Sequence, residues 1–170
     1  MPLADLTCAA DQVLAALGPD RPRFDVVWAS PLNRCALPAR EIAKRLGGEL
    51  KIDERLAEID FGRWDGRTWN EIERDEPALH ADWMRDWLTR PPPEGESIPT
   101  FEARVAAWAG ELDASRHHLL IAHAGVMRAL QVLERRVSWI DAMALVLPPL
   151  GSRTFQLEGA PRSAVVTRSA

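Results

Sequence analysis

The sequence has no tyrosine, only two cysteines and only four histidines in 170 residues. Cys8 and Cys35 stand alone, with neither disulfide-framework nor metal-site spacing, so a reduced state in a cytoplasm is expected. No apolar run approaches the roughly 18 residues needed to cross a bilayer, which argues against a membrane partner. The N-terminus carries no basic segment followed by an apolar stretch, so no signal peptide is read there. An excess of positive charge is also missing. Lys and Arg total 21 against 25 Asp and Glu, a formal net charge of −4, whereas a nucleic-acid partner demands a basic face. There is no Gly-x-Ser-x-Gly elbow, no His-Glu-x-x-His pair and no Gly-rich P-loop. What is present suits one folded domain: 46% hydrophobic and 27% charged residues exclude a wholly disordered chain. Seven tryptophans offset the missing tyrosine, and an excess of this kind means core filling or aromatic contact with a ligand.

Apolar spacing predicts a helix over residues 4–17, with Leu6, Val13, Leu14 and Leu17 on one face and Gly18-Pro19 as its stop. The run from Phe24 to Ala29 reads as a buried strand. Ser30-Pro31 follows as an N-cap with proline at the first helical position, opening a helix that buries Cys35, Ala39, Ile42 and Leu46 and ends at Gly47-Gly48. Pro38 lies in its early part, where it bends or delays the helix. Glu49–Ile52 reads as a short strand. Residues 66–90 read as helix in two pieces broken near Pro77, and Thr100–Ala114 as a helix burying Phe101, Val105, Trp108 and Leu112. Leu119–Ala122 is a second buried strand, running into His123-Ala124-Gly125 and a further helix. Leu145–Leu147, Thr154–Leu157 and Ala164–Thr167 are the remaining strand expectations. Alternating strands and helices predict a layered α/β domain with a largely parallel sheet.

Ligands of open parallel sheets bind beyond the carboxyl ends of the strands. Two such ends are visible. One delivers Ser30, Asn33 and Arg34, the other His123 with Gly125 behind it. Each opens a helix, whose first N–H groups favour an anion. Arg34 adds a fork of donors suited to phosphate, and His123 adds a donor that can be charged near neutrality. In Leu56–Gly66, carboxylates sit among apolar residues, an environment that suits a general acid. Glu58, between Ala57 and Ile59, is the better candidate and Asp60 the alternative; a solvated charged loop accounts for the same residues.

Four segments then carry a resemblance. Ser30-Pro31-Leu32-Asn33-Arg34-Cys35, Leu56 through Gly66, Gly95-Glu96-Ser97 and Ala122-His123-Ala124-Gly125-Val126 occur in the order of the histidine phosphatase superfamily, the phosphoglycerate mutase-like fold. The run from Arg34 to Ala39, with Trp83 and Asp86-Trp87, is most similar to the α-ribazole phosphatases of cobalamin assembly. The resemblance implies a three-layer α/β/α domain over residues 1–170 and a small phosphorylated substrate, with a homodimer kept open. It implies a phosphohistidine mechanism in which Arg34 and His123, beside Asn33, hold the phosphoryl oxygens and Glu58 protonates the leaving alkoxide. No metal is needed and no cofactor is expected. Trp64, Trp83 and Trp87, with Trp69, would offer an aromatic wall to a benzimidazole base, unless they fill gaps between helices and sheet.

The family's nucleophile sits in an Arg-His-Gly motif ending a first strand, and neither is found here. Of His80, His117, His118 and His123, the last matches the family's second histidine. The expectation is a domain lacking its first strand, from a late start or a fragment, inactive as it stands and poorly soluble. A central strand's burial rivals a whole domain's stability, and its loss would leave backbone groups unpaired. A non-catalytic phosphate-binding protein is the alternative; a phosphoglycerate mutase ranks lower.

Overall fold

The computed structural model describes residues 3–19, 21–135, 137–147, 151–155 and 163–167. The elements are α1 (Leu3–Leu17), β1 (Val26–Ala29), α2 (Asn33–Leu46), β2 (Glu49–Ile52), α3 (Trp69–Asp75), α4 (Pro77–Arg85), α5 (Ile98–Gly110), β3 (His118–Ala122), α6 (Ala124–Arg135), α7 (Trp139–Met143), β4 (Ser152–Phe155) and β5 (Ser163–Thr167). They form a mixed α/β fold on a five-stranded sheet of order β2-β1-β3-β5-β4, parallel except where β4 meets β5. The residues sort into two compact units, 1–58 with 105–170, and 59–104. No helix among the described residues is long and apolar enough to cross a membrane.

In the first unit the pleat decides what each strand residue meets. Val27, Ala29, Leu119 and Ile121 turn to one side and pack with Ala10 and Val13 of α1 and Cys35, Ala39, Ile42 and Ala43 of α2. Trp28, on the opposite side of β1, meets Trp108 edge to face at 5.7 Å. β1 pairs with β2 on one edge and with β3 on the other, Val26 opposite His118 and Ala29 opposite Ile121. On its other edge β3 pairs with β5, Leu119 opposite Ala164, so no unpaired ladder is left on β1 or β3 among the described residues.

Several local expectations change. Ser30 does not cap α2. Leu32 stands at that position and has no polar side-chain atom to cap with, while the Ser30 hydroxyl, two residues earlier, lies beside His123. Pro38 removes the N–H that the Arg34 carbonyl would accept, yet α2 runs through to Gly47. Residues 145–147 form no strand. Just before them lies α7, capped by the Ser138 hydroxyl accepting from the Asp141 N–H at 3.1 Å. Five residues are too few to show a helical period. The strand expected at Thr154–Leu157 is β4 at Ser152–Phe155, and residues 156 and 157 lie outside the described ones.

His118 opens β3 fully buried. Its Nδ1 accepts from the Trp28 indole N–H at 3.1 Å, so its Nε2 carries the proton and donates to the Asp113 carbonyl at 3.0 Å. Burial holds its pKa below the ordinary 6.5. The unfolded chain therefore takes up a proton at His118 before the folded chain does. Stability contributed by the neutral ring falls as pH drops through 6.5 toward the lower folded value. Urea midpoints measured from pH 7.5 to pH 5.5 are expected to decline, and His118→Gln to flatten that decline (window set around the histidine range). Identical pH slopes for both proteins would contradict the assignment.

In the second unit Trp64, Ile72 and Trp83 form the core, with Phe61 and Trp87 packed against it. Trp64 and Trp83 meet at 5.5 Å and 89°, and Trp69 stacks on Trp83 at 5.4 Å and 16°. Thr68 and Glu71 form a reciprocal cap that starts α3, and Pro77 opens α4 at the expected break.

Candidate functional site

Parallel pairing places the carboxyl ends of β1 and β3 side by side, and the Ser30 N–H donates to the Ile121 carbonyl at 3.1 Å. The next residues on both strands therefore meet. His123 follows β3 and is 1% exposed. Its Nε2 lies 2.7 Å from the Ser30 hydroxyl oxygen, and its Nδ1 accepts from Arg34 Nε–H at 3.3 Å. The two terminal nitrogens of the Arg34 guanidinium have no protein partner among the described residues. Cys35, one residue on, lies with Sγ 3.6 and 3.8 Å from the two ring nitrogens of His123 and donates to the Ala122 carbonyl at 3.5 Å. The near-equal distances put the sulfur beside the ring rather than in line with either nitrogen.

Glu58 reaches the same edge by another route. Asp53 caps the turn Glu54–Leu56, accepting from the Arg55 N–H at 2.9 Å. The Arg55 side chain grips Asp53 and also forks onto both oxygens of Glu111 at 2.7 Å. This hydrogen bonding from Arg55 holds the Asp53 carboxyl below its ordinary value. Leu56 is buried, and two residues later the half-buried Glu58 accepts from the Gly125 N–H, in the first turn of α6, at 3.3 Å.

The other expected residues lie differently. Asn33 is exposed, and its side chain makes no hydrogen bond among the described residues. Asp60 is exposed, and its carboxylate accepts from the Gly62 N–H at 2.7 Å in a local turn, which gives it a structural use. Trp64 and Trp83, at 2% and 9% exposure, are the interior of the second unit, with Trp87 partly buried against them. The expectation of an open aromatic wall is corrected at Trp64 and Trp83, because a buried indole offers no face to a base. Ser30 as the partner of His123 was not read from the sequence. The available signal was that both residues stand one position beyond a buried apolar run. No cluster of histidine, cysteine and carboxylate groups suited to a metal occurs among the described residues.

The parallel sheet thus sets an arginine and an imidazole together at the starts of two helices. Residues 7–144 match the histidine phosphatase superfamily (branch 1), and the chain belongs to that family. It is 28% identical over 110 residues to the adenosylcobalamin/alpha-ribazole phosphatase of Escherichia coli, covering 63% of this chain and 54% of that protein. It is 31% identical over 114 residues to phosphoserine phosphatase 1 of Hydrogenobacter thermophilus, covering 65% and 54%. The chain thus spans about half the length of these two relatives. The native structure of a mycobacterial glucosyl-3-phosphoglycerate phosphatase superposes with a TM-score of 0.74 at 24% identity, covering 100% of this chain and 87% of that one. That likeness shows the fold.

Proposed function

We propose that the carboxyl edge of β1 and β3 is the phosphoryl-holding half of a phosphomonoester hydrolase that works through phosphohistidine. The observation that carries this is the Arg34–His123 contact, with the outer guanidinium nitrogens unclaimed among the described residues. A planar fork of donors matches two phosphoryl oxygens and stabilises the charge that builds on them. In the hydrolase reaction an imidazole nitrogen bonds to phosphorus as the ester P–O bond breaks. The leaving alkoxide takes a proton from Glu58; the resulting carboxylate then accepts one from the water that releases phosphate.

Within the unit that carries this edge, no histidine besides His123 stands at it. His80 packs on Trp64 and Trp69 in the second unit, and His117 and His118 stand at the opposite end of β3. The His123 ring is already held by Ser30 and Arg34. This favours the reading that these 170 residues bind phosphomonoesters without turning them over. α-Ribazole 5′-phosphate is the leading substrate, supported by the Escherichia coli relative; phosphoserine follows from the other.

The test joins calorimetric titration of the chain with inorganic phosphate to hydrolysis assays on both phosphomonoesters and ³¹P spectra of the protein. Phosphate binding with no hydrolysis and no phosphohistidine signal is the expected result. Turnover would overturn the non-catalytic part, and no binding at millimolar phosphate would overturn the site.

A further inference from the structure

β4 is the outer strand of the sheet, two places from β3, and α6 packs against it. Between them lies a cavity of about 100 Å³, lined by Gln131, Glu134 and Arg135 of the helix and Arg153, Thr154 and Phe155 of the strand. Positions 131, 134 and 135 are three and four apart, so they share one helix face. Arg153 and Phe155 are two apart on a strand and share one side of the sheet. Phe155, at 2% exposure, supplies an apolar wall. Gln131 is 7% exposed, and its side-chain amide makes no hydrogen bond among the described residues. An amide taken so far from water without a partner costs stability. The half-buried Arg153 side chain also has no partner among the described residues. Two unsatisfied donor groups, from different elements, therefore line one small chamber.

We propose that this chamber between α6 and β4 binds a small carboxylate. The Arg153 guanidinium matches two carboxylate oxygens with a fork of donors, and the Gln131 amide adds a further N–H. Phe155 receives the apolar stem of the ligand. The volume exceeds what one water fills and falls well short of the roughly 300–1,000 Å³ of a pocket for a whole drug-sized molecule. It suits a group the size of acetate. Glu134, beside Arg135 at 3.6 Å, adds a carboxylate to the lining. Its charge opposes a second negative charge on the ligand, which favours a monoanionic carboxylate over a phosphate dianion. The proposal is independent of the reading of Arg34 as the phosphoryl grip.

The test follows the Gln131 side-chain amide in ¹H–¹⁵N spectra of the 170-residue chain during titration with acetate, with N-acetylglycine and inorganic phosphate as further arms. Acetate is expected to shift the Gln131 resonances saturably and to raise the thermal midpoint, because it binds the folded chain alone. Arg153→Ala is expected to weaken acetate binding roughly tenfold, the scale of one charge-assisted hydrogen bond. Gln131→Leu keeps the bulk and removes the amide, and it is expected to reduce the acetate-induced rise in thermal midpoint. Arg40→Ala, which removes an exposed charge on α2, leaves acetate binding unchanged. N-acetylglycine binding as tightly as acetate supports the carboxylate end of a larger molecule as the ligand; its exclusion supports a free small carboxylate. A wild-type Gln131 amide that shows no saturable shift with acetate overturns the proposal with no variant needed. Equal losses from Arg153→Ala and Arg40→Ala overturn it as well. Phosphate moving the Gln131 resonances at lower concentration than acetate does would overturn the assignment to a carboxylate.

Discussion

Replacing Arg34 by alanine is expected to weaken inorganic phosphate binding by about a hundredfold, the scale of two charge-assisted hydrogen bonds to an anion. The guanidinium stands in the first turn of α2, and its Nε is committed to His123. Only the outer nitrogens are left without a protein partner among the described residues, and they would meet the anion as a fork. Lysine restores the charge but not the fork, so Arg34→Lys recovers part of the loss. Arg40→Ala supplies the comparison, since Arg40 lies on the same helix but is exposed. It removes the same charge from the protein and is expected to change affinity less than twofold at physiological salt, where distant surface charges are screened. Equal losses from Arg34→Ala and Arg40→Ala, measured by calorimetry, would reduce the site to a general effect of charge.

The second large effect is structural. Gly62→Ala is expected to destabilise the 59–104 unit by at least ~2 kcal/mol. Gly62 has φ 57°, and a Cβ there would stand 2.2 Å from the Pro93 carbonyl oxygen and 2.5 Å from the Glu94 carbonyl carbon. These are backbone atoms and cannot swing aside. The contact is reciprocal: a Cβ on Gly95 would lie 2.6 Å from the Asp60 carbonyl oxygen. The two loops are held together by the Arg63 N–H donating to the Pro93 carbonyl at 3.1 Å and the Glu96 N–H donating to the Asp60 carbonyl at 2.8 Å. Gly66→Ala separates the two causes. Its φ is 76°, but nothing lies within 4 Å of an added Cβ, so it bears only the conformational cost of about 1–2 kcal/mol. Urea denaturation followed by tryptophan fluorescence compares them. Equal midpoint shifts for the two variants would contradict the packing account.

The positions of the main elements were legible because their signals are strong and local. Glycine and proline punctuate α1 and α2, Pro77 marks the break between α3 and α4, and the unbroken apolar run of β3 delivers His123 to the sheet edge. α7 was not legible, since five residues carry no period, and Leu145–Leu147 mimic a strand without forming one. At the site, Arg34, Glu58 and His123 could be named from residue type and place in the pattern. The engagement of Ser30 could not. Taken alone, Ser30-Pro31 is a sound helix start, and only the pairing of β1 with β3 brings a histidine to claim the hydroxyl. The tryptophans left two readings open, an aromatic wall or gap filling, for a different reason. Residues 61–83 alternate charge with aromatic side chains, and which side of an indole faces inward depends on the α3–α4 pairing, a tertiary fact that composition does not carry.

A crystal structure of the 170-residue chain grown with inorganic phosphate tests whether the two strand ends form one phosphoryl grip. The anion is expected at the carboxyl ends of β1 and β3, with two of its oxygens within hydrogen-bond distance of the outer nitrogens of Arg34. Phosphate bound elsewhere, with Arg34 turned away from His123, would contradict it.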